Sequence, residues 1–168
     1  MAEIIRKIWH ILICLISLGI YINMGLFFGI YSLLLGLIIL KLLNNTSMIR
    51  MIRSVRGSNN HGEVYIFLGL MISYILSSLL KSQINATAIG VLTLAFGDTV
   101  ASLFKNRIIN SLILLICFWI IFELIGGQNI GLTFLLTSLG LLITNYYSRG
   151  GTDNLTIANI IIILLTYA

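Results

Sequence analysis

Apolar residues run along the chain in seven long blocks, approximately 8–22, 24–43, 64–80, 86–104, 108–125, 130–147 and 155–167. Polar breaks separate them: Asn23, the segment Asn44–Gly62, the patch Lys81–Asn85, the cluster Lys105–Arg107, the stretch Gly126–Asn129 and the segment Ser148–Asn154. Continuous Leu/Ile runs of this kind predict helices. A barrel strand alternates apolar and polar positions, and these blocks do not. A hydrocarbon core about 30 Å thick takes roughly 20 apolar residues per helix, so several of the blocks are short for a span.

Composition sharpens the picture. Of 168 residues, 59% are hydrophobic and only 9% are charged, with a mean hydropathy of +1.08. Soluble domains carry about 25% charged residues. A chain this poor in charge cannot cover a water-facing surface, so the sequence predicts an all-α, polytopic membrane bundle of about seven helices in a single domain, 1–168. There is no proline, which leaves helix breaks to glycine and polar residues. Arg6 and Lys7 precede the first apolar block as in a signal peptide, but no small-residue cleavage site follows, and the block is expected to be a retained span. Cys14 and Cys117 lie inside apolar runs without a Cys/His cluster and are expected to be packing residues.

The net charge of +5 invites a nucleic-acid reading, and its distribution removes it. With the N-terminus in the cytoplasm, Arg6, Lys7, Lys41, Arg50, Arg53, Arg56, Lys105, Arg107 and Arg149 fall inside and only Lys81 outside. That bias is the positive-inside rule at work. The expected location is therefore an integral, multi-pass membrane protein with its chemistry at the cytoplasmic face, and no nucleic-acid partner.

The five acidic residues, Glu3, Glu63, Asp98, Glu123 and Asp153, do not serve topology. Asp98 is the odd one, embedded between Leu94-Ala95-Phe96-Gly97 and Thr99-Val100-Ala101. A carboxylate in an apolar run is costly and points to function by default. Gly97 allows close approach, Thr99 and Ser102 add hydroxyls, and Lys105 and Arg107 add cations. Together these suit a magnesium-bound polyphosphate: oxygen ligands for the metal, positive charge for phosphate oxygens. The bland alternative is an Asp98–Lys105 pair that stabilises a helix end, and the residues alone weigh the two about evenly. A second group, Arg149-Gly150-Gly151-Thr152-Asp153-Asn154, can form an anion nest at a helix N-terminus, although a capped, glycine-rich turn is the commoner outcome of such spacing. No P-loop is present. Weaker candidates are Arg6, Lys7 and His10 on one helix face, and His61-Gly62-Glu63 opening the third block. Gly25-x-x-x-Gly29 suggests close helix packing.

The residues carry a resemblance. Phe96-Gly97-Asp98-Thr99-Val100-Ala101-Ser102-Leu103 resembles the glycine-aspartate motif of the CTP-dependent lipid-alcohol kinases, which include dolichol kinase, phytol kinase and the yeast-type CTP-dependent diacylglycerol kinase. Three further pieces occur in the family's order. They are Arg6-Lys7-Ile8-Trp9-His10, then Gly62-Glu63-Val64-Tyr65 with Gly69, and finally Asp153-Asn154-Leu155-Thr156-Ile157. The chain departs from the family at Asn110-Ser111, where Glu-Gly-Ser is usual, at Asn145, where glutamate is usual, and at Ala158, where proline is usual. The loop after the aspartate motif is also cut to Lys105-Asn106-Arg107.

The resemblance implies transfer of the γ-phosphoryl of CTP to the hydroxyl of a membrane lipid alcohol, dolichol or another polyprenol before geranylgeraniol, phytol or diacylglycerol. Asp98 and Asp153 would be the catalytic and magnesium-holding carboxylates. Gly97, Thr99, Ser102, Lys105, Arg107, Arg149, Gly150, Gly151 and Asn154 would bind the nucleotide, with Arg6, Lys7, His10 and Glu63 as outlying members. The partners implied are CTP, the lipid alcohol and the bilayer, and the sequence leaves a homo-oligomer open. Rival readings are a cytidylyltransferase that makes a CDP-lipid, which needs the same magnesium-nucleotide site, and a small membrane transporter.

Overall fold

The computed structural model describes residues 2–42, 62–104, 106–125, 131–147 and 153–167, without the side chains of Ala2, Glu63, Thr133 and Asp153. Among these residues 92% are helical and none is in a strand. Each apolar block becomes one helix: α1 (Ala2–Met24), α2 (Leu26–Leu42), α3 (Gly62–Leu79), α4 (Ile84–Ala101), α5 (Arg107–Ile125), α6 (Leu132–Tyr147) and α7 (Asp153–Thr166). Three of them, over Glu3–Met24, Ile84–Ala101 and Arg107–Ile125, are long and apolar enough to cross a membrane. The other four are apolar but shorter.

Local chemistry sets the helix ends. α1 opens with Glu3 in its first turn, where the helix dipole favours an anion, and it carries the charged Arg6 and Lys7 into the helix ahead of the apolar block. Gly25, at φ +86°, separates α1 from α2 in a single residue. Gly25 has open space around it and makes the turn, so the expected Gly25-x-x-x-Gly29 packing motif is half right. Only Gly29 is a contact position, where the side chains of Tyr21 and Tyr74 come within 3.3–3.4 Å of a would-be Cβ. α3 ends in a Schellman motif: Ser82 N–H donates to Ser77 O (2.9 Å), Lys81 N–H to Ser78 O (3.3 Å), and Lys81 takes the left-handed conformation at φ +51°. Asn106 caps α5 by accepting from the Ile108 N–H at 2.9 Å.

α7 is the hub. Ile157, Ala158, Ile161 and Ile162 on it are essentially inaccessible, and α3, α4 and α6 surround it. Small residues let these helices close. A Cβ on Gly69 of α3 would stand 2.2 Å from the Asn154 carbonyl oxygen, and one on Gly90 of α4 would stand 2.9 Å from that of Ala158. α4 is the inner helix of the three long ones: 72% of its span is buried, against 28% and 22% for α1 and α5. The outward positions are apolar, among them Phe27, Leu79, Leu124 and Leu132.

Candidate functional site

α4 is not a uniform helix. It is α-helical over Ile84–Leu92, widens to a π-helix over Thr93–Asp98, and returns to α over Thr99–Ala101. π turns are rare in helices and gather at functional sites. The segment coincides with Thr93-Leu94-Ala95-Phe96-Gly97-Asp98, so Asp98 is the last residue of the widened turn. It is half-buried. Nothing in the residue types signals the π turn.

α1 and α7 both pack on this turn. From α1, His10 is buried and its Nε2 lies 3.1 Å from the Leu94 carbonyl oxygen. A carbonyl only accepts, so Nε2 carries the proton. At the other end of α1, Tyr21 reaches Ser77, which also bonds Thr87 near the start of α4. These two points make α1 and α4 antiparallel. Arg6, one turn before His10, is therefore level with Asp98, one turn beyond Leu94. Lys7 Nζ pairs with Glu3 at 3.4 Å, i to i+4 on α1, a largely buried lysine side chain against a half-exposed carboxylate.

Asn154 is buried in the first turn of α7, with its carbonyl against Gly69. Gly69, one piece of the Gly-x-x-Tyr segment, thus brings α3 onto the α7 N-terminus. Gly97 is also buried, but its bare Cα faces Leu114 and Cys117 of α5, 2.9 and 3.4 Å from a would-be Cβ. The close approach expected there is a helix–helix contact. The Ser102 hydroxyl donates to the Thr99 carbonyl at 2.8 Å within its own turn. Thr99 is half-buried and Arg107 exposed at the start of α5. Lys105, Arg149, Gly150 and Gly151 lie outside the described residues, as do the side chains of Asp153 and Glu63. The Asp98–Lys105 pair therefore falls outside the description as well.

The departures from the family pattern meet one another. Asn145 of α6 donates through Nδ2 to Asn110 Oδ1 (2.8 Å) and Ser111 Oγ (2.9 Å) on α5, and Asn110 donates to the Ala101 carbonyl (2.9 Å) at the end of α4. A carboxylate at either amide would lose a donor that the chain now uses. At these positions three helices are tied by a neutral network where the resemblance implies charge.

A second polar region was missed from sequence. Two sets of hydroxyls lie side by side there, Ser17 of α1 with Tyr74 of α3, and Tyr21 of α1 with Ser77 of α3, Ser82 and Thr87. Ser17 Oγ lies 2.8 Å from Tyr74 Oη, Tyr21 Oη donates to Ser77 Oγ at 3.0 Å, and Ser77 Oγ lies 2.7 Å from Ser82 Oγ. The Tyr21 and Tyr74 rings stack at 4.4 Å. Nearby, Ser73 donates to Asn159 Oδ1 of α7 at 2.8 Å. The available signal was hydroxyl residues spaced three or four apart inside apolar blocks.

Among the described residues, no three of His, Cys, Asp and Glu gather into a metal-binding group. Magnesium that arrives on a nucleotide needs only one or two protein carboxylates, and a half-buried Asp98 fits that role. Comparison with protein-family models, with curated proteins and with solved structures finds no match.

Proposed function

We propose that this chain is an integral membrane kinase that transfers the γ-phosphoryl of CTP to the hydroxyl of a membrane lipid alcohol, a dolichol or other polyprenol first. The observation that carries the reading is Asp98: an ionisable residue, half-buried in the most enclosed long helix, at the exit of a π turn. Intramembrane carboxylates and π turns are each expensive and each associated with function. The order of the four sequence motifs adds support, as does the level of Arg6 with Asp98 across α1 and α4.

In this reading the protein contributes positioning and electrostatics, which is most of what phosphoryl transfer needs. Asp98 accepts the proton of the lipid hydroxyl. Asp98 and Asp153 would hold magnesium, which when bound offsets charge on the nucleotide phosphates. Arg6, Lys105, Arg107 and Arg149 neutralise the transferring group, and the backbone at Gly150-Gly151 donates to phosphate oxygens. The alcohol enters laterally past an apolar exterior and presents its hydroxyl at the boundary. Seven spans with the N-terminus inside put all of these groups on the cytoplasmic face, where CTP is.

The test is purified protein with γ-labelled CTP, magnesium and a panel of polyprenol, geranylgeraniol, phytol and diacylglycerol. Label in the lipid with release of CDP is the expected result. In a parallel arm with a lipid monophosphate in place of the alcohol, pyrophosphate release and a CDP-lipid, with no label in lipid from the alcohol panel, would replace the kinase by a CDP-lipid synthase. No turnover with any alcohol or lipid monophosphate would overturn both. CTP should exceed ATP as donor, and chelation of magnesium should abolish transfer. For topology, single cysteines at Ser47 and Ser82, in a chain without Cys14 and Cys117, should label from opposite sides.

A further inference from the structure

We propose that His10 is a positioning residue that holds the π turn of α4 open and thereby sets the direction in which Asp98 points. A π turn inserts one residue into the helical count, which takes one backbone carbonyl out of the regular ladder. The Leu94 carbonyl, in a fully buried residue inside the turn, receives a donor from outside the helix, His10 Nε2 at 3.1 Å. In an apolar interior a carbonyl without a donor is expensive, so loss of this bond favours a return to the regular α ladder.

The geometric effect of the turn is visible in two glycines. Gly90 and Gly97 are a heptad apart, and in a regular helix they would face within about 20° of the same direction. Here Gly90 faces Ala158 and Ile162 of α7, while Gly97 faces Leu114 and Cys117 of α5. The inserted residue turns everything beyond it by roughly 100° relative to the first half of α4. Asp98 follows Gly97 directly and turns with it. Relaxation of the turn therefore swings Asp98 away from its present environment without changing any residue of the site.

A phase-sensitive probe is already half built. A Cβ at position 97 would lie 3.4 Å from the Cβ of the native Cys117, close to disulfide distance. Gly97→Cys in a Cys14→Ala chain should thus form a 97–117 disulfide quickly under mild oxidant, read by mass and by loss of free thiols. His10→Phe keeps ring volume but removes the donor and should slow the cross-link by roughly tenfold, the scale of one buried hydrogen bond. His10→Gln, whose amide nitrogen falls near the position of Nε2, should restore it. His10→Asn, one bond shorter, should not, and it serves in place of His10→Phe if that variant fails to fold. Equal cross-linking in all four chains would overturn the proposal, as would a His10→Gln chain as slow as His10→Asn.

The part that concerns turnover rests on the kinase reading. In chains with native Gly97, His10→Phe and His10→Asn should lower kcat about tenfold or more, with KM for the alcohol unchanged and His10→Gln largely recovered. A normal kcat in a chain whose cross-link is slow would show that the π turn does not serve Asp98. If the unmodified chain turns over no CTP, the kinase reading fails while the cross-linking result still decides what His10 holds.

Discussion

The bundle has two polar regions, about 16 Å apart along α1 from His10 to Tyr21, and they are built on opposite principles. Around Tyr21, Tyr74, Ser77 and Thr87 the groups are neutral hydroxyls that bond one another, and the helical segments that bear them are regular. Around the π turn the groups are the half-buried Asp98 carboxylate and the buried His10 imidazole, and the helix itself is widened. Hydroxyl pairs between helices contribute modestly to stability at little cost. Ionisable groups and an irregular ladder cost energy, and a fold keeps them where they act. On the proposed function, the hydroxyl region is glue and the Asp98 region is the site.

The comparison breaks most directly at Asp98. Asp98→Asn keeps the shape and removes the charge, so phosphoryl transfer should fall by at least about two orders of magnitude, the ~3 kcal/mol scale of one preorganised electrostatic group. Thermal stability should hold or rise, because a neutral amide replaces a buried charge. Turnover and melting measured on the same purified variant decide it. A variant that melts early yet turns over normally per folded molecule would move Asp98 into the scaffold and erase the distinction between the regions.

Gly69→Ala comes next. Its Cβ would meet the Asn154 carbonyl, a backbone atom that cannot swing aside, so α3 must part from α7 at a cost of about 1–3 kcal/mol. Gly29→Ala, in the hydroxyl region, meets only side-chain carbons of Tyr21 and Tyr74 at 3.3–3.4 Å and should melt closer to the parent. Because Gly69 seats the start of α7, its variant should lose turnover as well as stability, whereas Gly29→Ala should keep its turnover per folded molecule.

In the hydroxyl region, Tyr74→Phe removes the partner of Ser17 and should lower stability by about 1 kcal/mol with turnover per folded molecule unchanged. A specific loss of turnover there would make the second region a site too. Ser82→Ala is the smallest: Ser77 retains Tyr21 and Thr87, and a shift of only a few tenths of a kcal/mol in unfolding free energy is expected.

Among the described residues the apolar blocks alone determined the helices and nearly where each ends, because a helix satisfies its backbone internally and the length of an apolar run limits it. The breaks at Asn23, Lys81–Asn85 and Lys105–Arg107 became a one-residue glycine turn, a Schellman motif and an asparagine cap, each a local event that nearby residues specify. Asp98 stood out for an equally local reason, a charge where charge is costly. What surrounds it did not. Whether Gly90 and Gly97 face one helix or two depends on a π turn, and its Leu94 carbonyl is bonded by His10, which lies 84 residues away in sequence. Asn110 and Asn145 are separate polar residues until α5 and α6 pack and their amides meet. Helical period is written in neighbouring residues, whereas the phase of one helix against another is set by contacts between distant ones, so only the tertiary structure decided it.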